Sequence, residues 1–237
     1  MSEWNLGTRE SLQQLESAIR DLQDRIEETN RQQLALTNIR PLLGSLPVPF
    51  GDRDINPFPI NPLFGEQIVS TLVEERPRLV VECGSGSSTV LMAACLRELG
   101  QGRLIALEHD ARWAGMTESL LASRELDEVA RVVEAPLEKR AIDGLEFEWY
   151  SDVLEQHIDG DIDVLVVDGP PGATGPRARY PAVPLLKEAL SPTGVILLDD
   201  ANRTDEQWIG KKWAEELGGS AEYRTQGNGS WVIRRRG

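Results

Sequence analysis

The sequence predicts an α/β domain with a doubly wound, seven-stranded and mostly parallel sheet, preceded by an N-terminal helical extension. Two observations lead to this prediction. From residue 66 onwards, short apolar runs alternate with segments of helical length, and strands that alternate with helices form a parallel sheet covered on both faces. Near the end of the chain, two short strands follow each other and complete the sheet.

The elements of this domain are predicted in chain order from their apolar runs and the polar segments between them. Five strands are expected at 78–84, 103–110, 130–136, 162–171 and 194–201. Helices are expected at 88–99, after the second strand to about 124, near 180–190 and at about 204–217, and the closing strands near 221–225 and 230–235. Residues 66–237 are therefore assigned to one domain.

Residues 1–40 predict a helix. Between residues 8 and 38 there is no Gly or Pro, and apolar residues recur with alternating spacings of three and four, the a/d spacing of a coiled coil, at Leu12, Leu15, Ile19, Leu22 and Ile26. Thr29 and Gln33 then interrupt the pattern. Two interpretations stay open: a helix that forms a homodimer with a second copy, and a helix that folds back on its own domain.

A proline-rich segment, 41–65, connects this helix to the domain. It contains six of the 14 prolines of the chain. Since proline fixes φ and removes a hydrogen-bond donor, the segment is expected to be extended and irregular. Its apolar side chains favour a position against the domain.

Composition and charge exclude several classes of protein. The 237 residues include 39 acidic and 25 basic ones, and the formal net charge of −14 repels phosphate backbones, so no nucleic acid is expected as a partner. Cys83 and Cys95 are too few for a disulfide framework. Neither a signal peptide nor a membrane span is indicated, and we expect a cytoplasmic protein.

The first strand ends in a glycine-rich turn that leads into a helix. Glycine permits a tight turn and lets a ligand approach the backbone, but the third glycine of a dinucleotide motif is replaced by Thr89. Glu82, two residues before Gly84, indicates S-adenosylmethionine, because the cationic amino-acid end of that molecule needs a carboxylate nearby. A purely structural turn is the alternative. The residues expected to bind the cofactor here are Glu82, Gly84, Ser85, Gly86, Ser88 and Thr89.

The next two strands also end in candidate cofactor residues. Glu108 ends the second strand, 24 positions after Gly84, and a carboxylate there can accept hydrogen bonds from both ribose hydroxyls. His109 is expected at the ribose or the adenine edge, with a solvated position as the alternative. Glu134 and Ala135, at the end of the third strand, are expected beside the adenine.

Three carboxylates follow the fourth and fifth strands. Asp168 ends the fourth, and Asp199 and Asp200 end the fifth. Because the carboxyl ends of parallel strands face one crevice, these side chains are expected to converge and to hold a cation. Oxygen ligands suit Mg²⁺ or Mn²⁺, which would lower the pKa of a substrate hydroxyl. Asp168 and Asp200 are the candidate catalytic residues, and Asp168 is also expected to bind the cofactor at its methionine end.

The motifs together carry a resemblance. Residues 66–237, with ECGSGSST, LEHD, VVDGPPG, ARYPAVPLL and ILLDDANR, resemble class I S-adenosylmethionine-dependent methyltransferases, in particular a bacterial branch associated with glycan or natural-product modification. The aspartate arrangement is similar to that of metal-dependent O-methyltransferases acting on sugars or catechols. The resemblance implies a Rossmann-like methyltransferase fold and methyl transfer to a hydroxyl of a saccharide or glycan.

The chain departs from this family at one point. Several relatives have a Lys or His base three residues after the strand-four aspartate, where this chain has Pro171. An aspartate or the metal would then activate the hydroxyl. Polar residues in the loops after strands four and five, Arg179, Tyr180 and Arg203, are expected to contact the acceptor.

Three other functions are weighed. A metal-independent methyltransferase of small metabolites would use an aspartate as base. A non-catalytic module could bind an adenosine ligand and assemble partners through the N-terminal helix. A nicotinamide-dependent oxidoreductase is disfavoured by the missing third glycine and by the lack of a recognisable Tyr-Lys pair.

Overall fold

The computed structural model describes residues 3–43 and 60–236, and the side chains of residues 13–40, 60–154 and 156–236. Residues 44–59 of the predicted proline-rich segment 41–65 lie outside the described residues, so their structure stays a prediction. The described ends correct the expectation of an extended chain: residues 41–43 are helical, and so are residues 62–65, because proline is accepted in the first turn of a helix and Asn61 caps the one that begins at Pro62. Within the described part of the chain, no helix is both long enough and apolar enough to cross a membrane.

Six helices and nine strands make up the described chain. The helices are α1 (Glu3–Leu43), α2 (Pro62–Glu75), α3 (Ser87–Leu99), α4 (Ala111–Ala122), α5 (Ala182–Leu186) and α6 (Thr204–Leu217). The strands are β1 (Leu79–Cys83), β2 (Arg103–Glu108), β3 (Ala130–Glu134), β4 (Leu137–Ile142), β5 (Leu145–Tyr150), β6 (Ile162–Val167), β7 (Leu190–Asp199), β8 (Ser220–Arg224) and β9 (Ser230–Arg234).

The predicted seven-stranded sheet is confirmed. Its order is β3-β2-β1-β6-β7-β9-β8, with β1, β2, β3, β6 and β7 parallel and the closing pair antiparallel. The order reverses between β1 and β6, and such a switch point opens a crevice at the carboxyl ends of the strands.

Strand register brings the predicted site residues to that crevice. Cys83 pairs with Leu107 on one side and with Val167 on the other, so the residues that follow these three strands emerge next to one another. Val167 pairs with Leu198, which places Asp168 beside Asp199. The convergence expected from the sequence is therefore a direct result of in-register parallel pairing.

Apolar residues fill both faces of the sheet. Along β1, Val80 belongs to the core under α2 and α3, whereas Val81 belongs to the core on the opposite face, which contains Trp213 of α6. All five residues of β1 are buried. A strand buried on both faces needs apolar residues in succession, which explains the run Leu79-Val80-Val81 before Glu82.

A hairpin between β3 and β6 was not predicted. β4 and β5 form a separate antiparallel pair, and the turn between them contains Asp143 and Gly144, both with positive φ. This Asp-Gly dipeptide is the usual signal of a two-residue hairpin turn. The hairpin carries Tyr150 to the edge of the crevice.

Helix α1 has two environments. Near its C-terminal end, Ala35 and Ile39 are buried against the domain, and Asn38 Nδ2 donates to Glu66 Oε1 of α2 at 2.6 Å. Residues 13–27, in contrast, are all exposed. The first part of α1 therefore leaves its apolar seam in solvent in the single chain.

Candidate functional site

A cleft of about 490 Å³ lies at the carboxyl ends of β1, β2, β6 and β7. Most of the predicted site residues line it, namely Gly84, Ser85, Gly86, Ser88, Glu108, His109, Asp168, Arg179, Asp199, Asp200 and Arg203. The lining residues that the sequence did not identify include Trp113, Met116, Leu120, Tyr150 and Asn228.

The glycine-rich turn forms the floor of the cleft. Gly84 has a φ of 107°, and a Cβ there would lie 3.4 Å from the backbone nitrogen of Gly169 in the loop after β6. The backbone N–H of Gly86 donates to Thr89 Oγ1 at 2.9 Å, which closes the first turn of α3. Glycine at residue 84 is needed both for its φ and for the close approach of the two loops.

Glu82 lies beneath this turn and, like the predicted cofactor residue Thr89, is not among the described residues that line the cleft. It is fully buried, accepts a hydrogen bond from Thr89 Oγ1 at 2.6 Å and is also hydrogen-bonded by Ser88 Oγ. Burial raises the pKa of its carboxyl to about 8. Glu82 therefore ties α3 to β1, a position that differs from the predicted contact with the cationic end of the cofactor.

The buried carboxyl of Glu82 makes stability depend on pH. Because its pKa is about 8 in the folded chain and 4.5 in an unfolded one, folding takes up a proton between these values, and stability falls as pH rises through them. Glu82→Gln is expected to reduce this slope by up to about 1.4 kcal/mol per pH unit. Urea unfolding of the ligand-free protein at pH 5 to 8 measures how the free energy of unfolding changes with pH. Glu118→Gln, at an exposed residue, is the control. Parallel curves for Glu82→Gln and the unaltered chain would contradict the argument.

Glu108 stands on the cleft wall with its oxygens partly engaged. Its carboxylate accepts hydrogen bonds from Ser85 Oγ and from the backbone N–H of Asp110, both at 3.0 Å, and lies 2.9 Å from His109 Nδ1. These contacts hold the carboxylate facing the glycine-rich turn. It is therefore oriented to accept hydrogen bonds from a ligand in the cleft.

An apolar wall stands beside Glu108. Trp113, Met116 and Leu120 follow one another at helical spacings on α4 and all line the cleft. The signal in the sequence was this i, i+3, i+7 pattern directly after LEHD.

The residues at the end of β3 lie elsewhere. Among the described residues, the lining of the cleft does not include Glu134 or Ala135, so the predicted adenine contact differs from what the structure shows: Ala135 is buried and Glu134 points to solvent.

The three aspartates converge as predicted. One carboxylate oxygen from each of Asp168, Asp199 and Asp200 lies within 4.8 Å of the others. Burial raises the pKa of Asp168 to about 6, and the pKa of Asp199 is raised well above its usual range by burial and by the other two carboxylates. Asp200 has a left-handed backbone with a φ of 59°, which turns its side chain back into the cluster.

Arg179 lies inside this acidic cluster. Its side chain is only 4% exposed, and its guanidinium donates to Asp168 Oδ1 at 3.2 Å, to Asp200 Oδ2 at 2.9 Å and to the backbone oxygen of Asp199 at 3.0 Å. Arg203, which is more exposed, also reaches Asp200 Oδ2 at 2.8 Å. Arg179 was predicted to contact the acceptor, but its donors are largely used within the protein.

The position of Tyr180 differs even more from the prediction that this residue contacts the acceptor. It is buried between α6 and the hairpin, where its hydroxyl donates to Glu216 Oε1 at 2.7 Å. Among the described residues, those lining the cleft do not include it. The tyrosine that lines the cleft is Tyr150, whose buried hydroxyl has no hydrogen-bond partner within the described part of the chain.

The aspartates fit a divalent cation by their chemistry. Three carboxylates offer only oxygen ligands, the set that Mg²⁺ prefers. Two of their oxygens, however, already accept hydrogen bonds from Arg179. The cluster can thus be balanced by a metal ion, by arginine, or by both together.

Comparisons with known proteins identify the family of the chain. Residues 81–201 match the family described as a methyltransferase domain. A search of curated proteins gave no match.

Solved structures share the fold at low sequence identity. A candidate caffeoyl-CoA O-methyltransferase from Staphylococcus aureus has a TM-score of 0.65 at 13% identity, covering 89% of this chain and 99% of that chain. The O-methyltransferase TomG from Streptomyces achromogenes, involved in tomaymycin synthesis and solved with SAM, has a TM-score of 0.56 at 14% identity and covers 86% and 90%. An O-methyltransferase from Bacillus cereus in complex with SAH has a TM-score of 0.54 at 15% identity and covers 85% and 90%.

Proposed function

The chain belongs to the methyltransferase domain family, and from this premise we propose that it is an S-adenosylmethionine-dependent O-methyltransferase acting on a hydroxyl of a saccharide or glycan with a divalent cation. One observation carries the proposal. A single cleft joins a glycine-rich turn, a ribose-type carboxylate and an apolar wall to three converging aspartates. The SAM and SAH bound to the structural neighbours TomG and the Bacillus cereus enzyme support the choice of cofactor.

The residues of the cleft suit the parts of such a cofactor. The backbone at Gly84 and Gly86 is open to a ligand for the methionine end. Glu108 is oriented for the ribose hydroxyls, and the apolar wall of Trp113, Met116 and Leu120 offers a surface for the adenine. S-adenosylmethionine supplies the methyl group when it is bound.

The aspartates would make the acceptor hydroxyl more reactive. A cation held by Asp168, Asp199 and Asp200 would supply positive charge that lowers the pKa of a nearby hydroxyl. The carboxylate of Asp168 would take the proton of that hydroxyl. Pro171 leaves no base at the position where relatives have Lys or His, so the proton falls to an aspartate.

A second candidate is a metal-independent methyltransferase of a small metabolite. The observation that favours it is Arg179, whose guanidinium bridges Asp168 and Asp200. Arg179 then provides the positive charge in the cluster, and Asp168 or Asp200 acts as base without a metal ion. The two candidates share the cofactor and differ in the cation.

A thermal-shift titration with S-adenosylhomocysteine separates them. At 100 times its Kd the ligand is expected to raise the melting temperature by about 5–10 °C, since it binds only the folded chain. For the metal enzyme, Mg²⁺ enlarges the shift and excess EDTA abolishes methyl transfer. Methyl transfer that persists in EDTA would establish the second candidate instead. No shift, together with no direct binding, would contradict the cofactor assignment.

We propose in addition that α1 forms a parallel homodimer. Its exposed part carries Ile19 and Ile26 at a positions and Leu15 and Leu22 at d positions, the combination that favours two strands, and these side chains are 47–59% exposed. A long helix surrounded by solvent gains little stability alone, and pairing would bury this seam.

The test of the dimer uses a substitution, because Ala35 and Ile39 further along α1 belong to the domain core. Ile19→Asp is expected to halve the mass measured by light scattering, since a charge at an a position opposes pairing. Ser17→Asp, on the outer side of the helix, is the control and should leave the mass unchanged. A monomeric mass for the unaltered chain would rule the dimer out.

A further inference from the structure

A second cavity opens beside the acidic cluster. It measures about 200 Å³ and lies between the N-terminal turn of α2 and the connection from β8 to β9. Its lining shares two residues with the larger cleft, Asp199 and Asn228. Asp199 and Asn228 therefore stand between the two spaces, and Asp199 is the aspartate of the acidic cluster that borders both.

Neutral polar groups dominate the lining of this second cavity. Amide and hydroxyl side chains come from α2 and from the turn between β8 and β9, namely Asn61, Gln67, Ser70, Gln226, Asn228 and Ser230. Each amide offers both a donor and an acceptor, and each hydroxyl can act as either. Such a lining matches a ligand that is itself rich in hydroxyl groups.

The charged residues beside these groups already have partners within the chain. Glu66 Oε1 accepts from Asn38 Nδ2 at 2.6 Å, and Arg224 Nε pairs with Glu222 Oε1 at 2.9 Å. Asp199 adds negative charge at the inner end. Glu66 and Asp199 would repel the negative charge of an anionic ligand such as a sugar phosphate, so an anionic ligand is disfavoured.

Gln67 gives the strongest indication that this cavity binds a ligand. It is 5% exposed and lines the cavity, and its Oε1 accepts from Ser230 Oγ at 2.5 Å. Its amide nitrogen, however, has no hydrogen-bond partner within the described part of the chain. A buried donor without a hydrogen-bond partner lowers the stability of the folded chain. An acceptor atom of a ligand bound in this cavity would satisfy the amide nitrogen of Gln67.

Resting on the proposed function, we infer that this cavity is the acceptor site and that its ligand is one neutral, polyhydroxylated ring, a single saccharide unit. A cavity of about 200 Å³ is below the roughly 300–1,000 Å³ of sites for drug-sized ligands, so it takes one ring and not a longer chain segment. Leu63 and Phe64 add apolar surface for the C–H groups of such a ring. Its reacting hydroxyl lies at Asp199, the aspartate that borders both spaces. A flat phenol offers fewer hydroxyl groups to this polar lining than a saccharide ring does.

The test measures binding of neutral monosaccharides and their methyl glycosides to the protein saturated with S-adenosylhomocysteine, by saturation-transfer NMR, with catechol and glucose 6-phosphate as comparison ligands. At least one neutral sugar is expected to bind better than both comparison ligands. Gln67→Leu and Gln226→Ala are expected to weaken it about tenfold, because each loses hydrogen bonds to the ring. Gln226 is exposed, so its variant gives an answer even if Gln67→Leu fails to fold.

Two controls keep this inference separate from the proposed function. Gln101→Ala, an exposed glutamine at the other end of the sheet, should leave sugar binding unchanged. The thermal shift with S-adenosylhomocysteine should be the same in all three variants. If that shift is present but no neutral sugar binds, or if both cavity variants bind sugar normally, the inference is wrong while the assignment of S-adenosylmethionine as the cofactor stands. If the shift is absent in the unaltered protein, the proposed function itself fails.

Discussion

Arg179→Met is expected to lower the free energy of unfolding by about 3–5 kcal/mol, the usual cost of removing one partner from a buried ion pair. The guanidinium donates to two carboxylates and to a backbone oxygen inside the cluster. Methionine keeps much of the side-chain volume but removes the positive charge, so Asp168, Asp199 and Asp200 would repel one another in a buried site. Urea unfolding at pH 7.5 without ligand or metal measures the loss.

Arg203→Met is the matched control for this prediction. Its side chain is 55% exposed and also pairs with Asp200, so its removal is expected to cost at most about 1 kcal/mol. Arg179→Lys should fall between the two, because lysine keeps the charge but lacks the planar fork that reaches several acceptors. Equal losses for Arg179→Met and Arg203→Met would contradict the structural role assigned to Arg179.

Asp168→Asn is expected to lower kcat about 10²-fold or more, since the amide can neither accept a proton nor hold a cation as a carboxylate does. Asp200→Asn should have a similar effect on kcat. Asp168 follows β6 and Asp200 follows β7, and β6 lies beside β1, the strand that leads into the glycine-rich turn. Methyl transfer from S-adenosylmethionine, measured with saturating acceptor, gives kcat for each variant.

Binding measurements show whether these losses belong to catalysis. The affinity for S-adenosylhomocysteine should fall much less than kcat in Asp200→Asn, because the proposed cofactor contacts lie elsewhere in the cleft. Asp161→Asn is the control: it precedes β6, the strand that Asp168 follows, but it is exposed at the opposite edge of the sheet. A kcat within twofold of the unaltered enzyme for Asp168→Asn would remove this residue from the mechanism.

Much of the fold could be predicted because each buried strand is a short apolar run that ends in a recognisable residue. Glu108 and Asp168 could be assigned to the cleft on this basis, since residues after parallel strands meet at one edge of the sheet. The β4–β5 hairpin was missed although Asp143-Gly144 marks its turn, because charged residues separate the apolar ones in both strands, unlike the continuous apolar runs of the parallel strands. The apolar wall on α4 was missed because its spacing also suits an ordinary core-facing helix.

The sequence by itself determined the sheet, the glycine-rich turn and the three aspartates, because local spacing and strand order are enough to bring strand ends together. Only the tertiary structure decided what surrounds these groups. Glu82 lies under the turn, Arg179 lies within the acidic cluster and Tyr180 faces away from the cleft, although all three carry side chains that suit ligand binding. The direction and partners of a buried polar side chain depend on residues distant in the chain, and no local pattern records them.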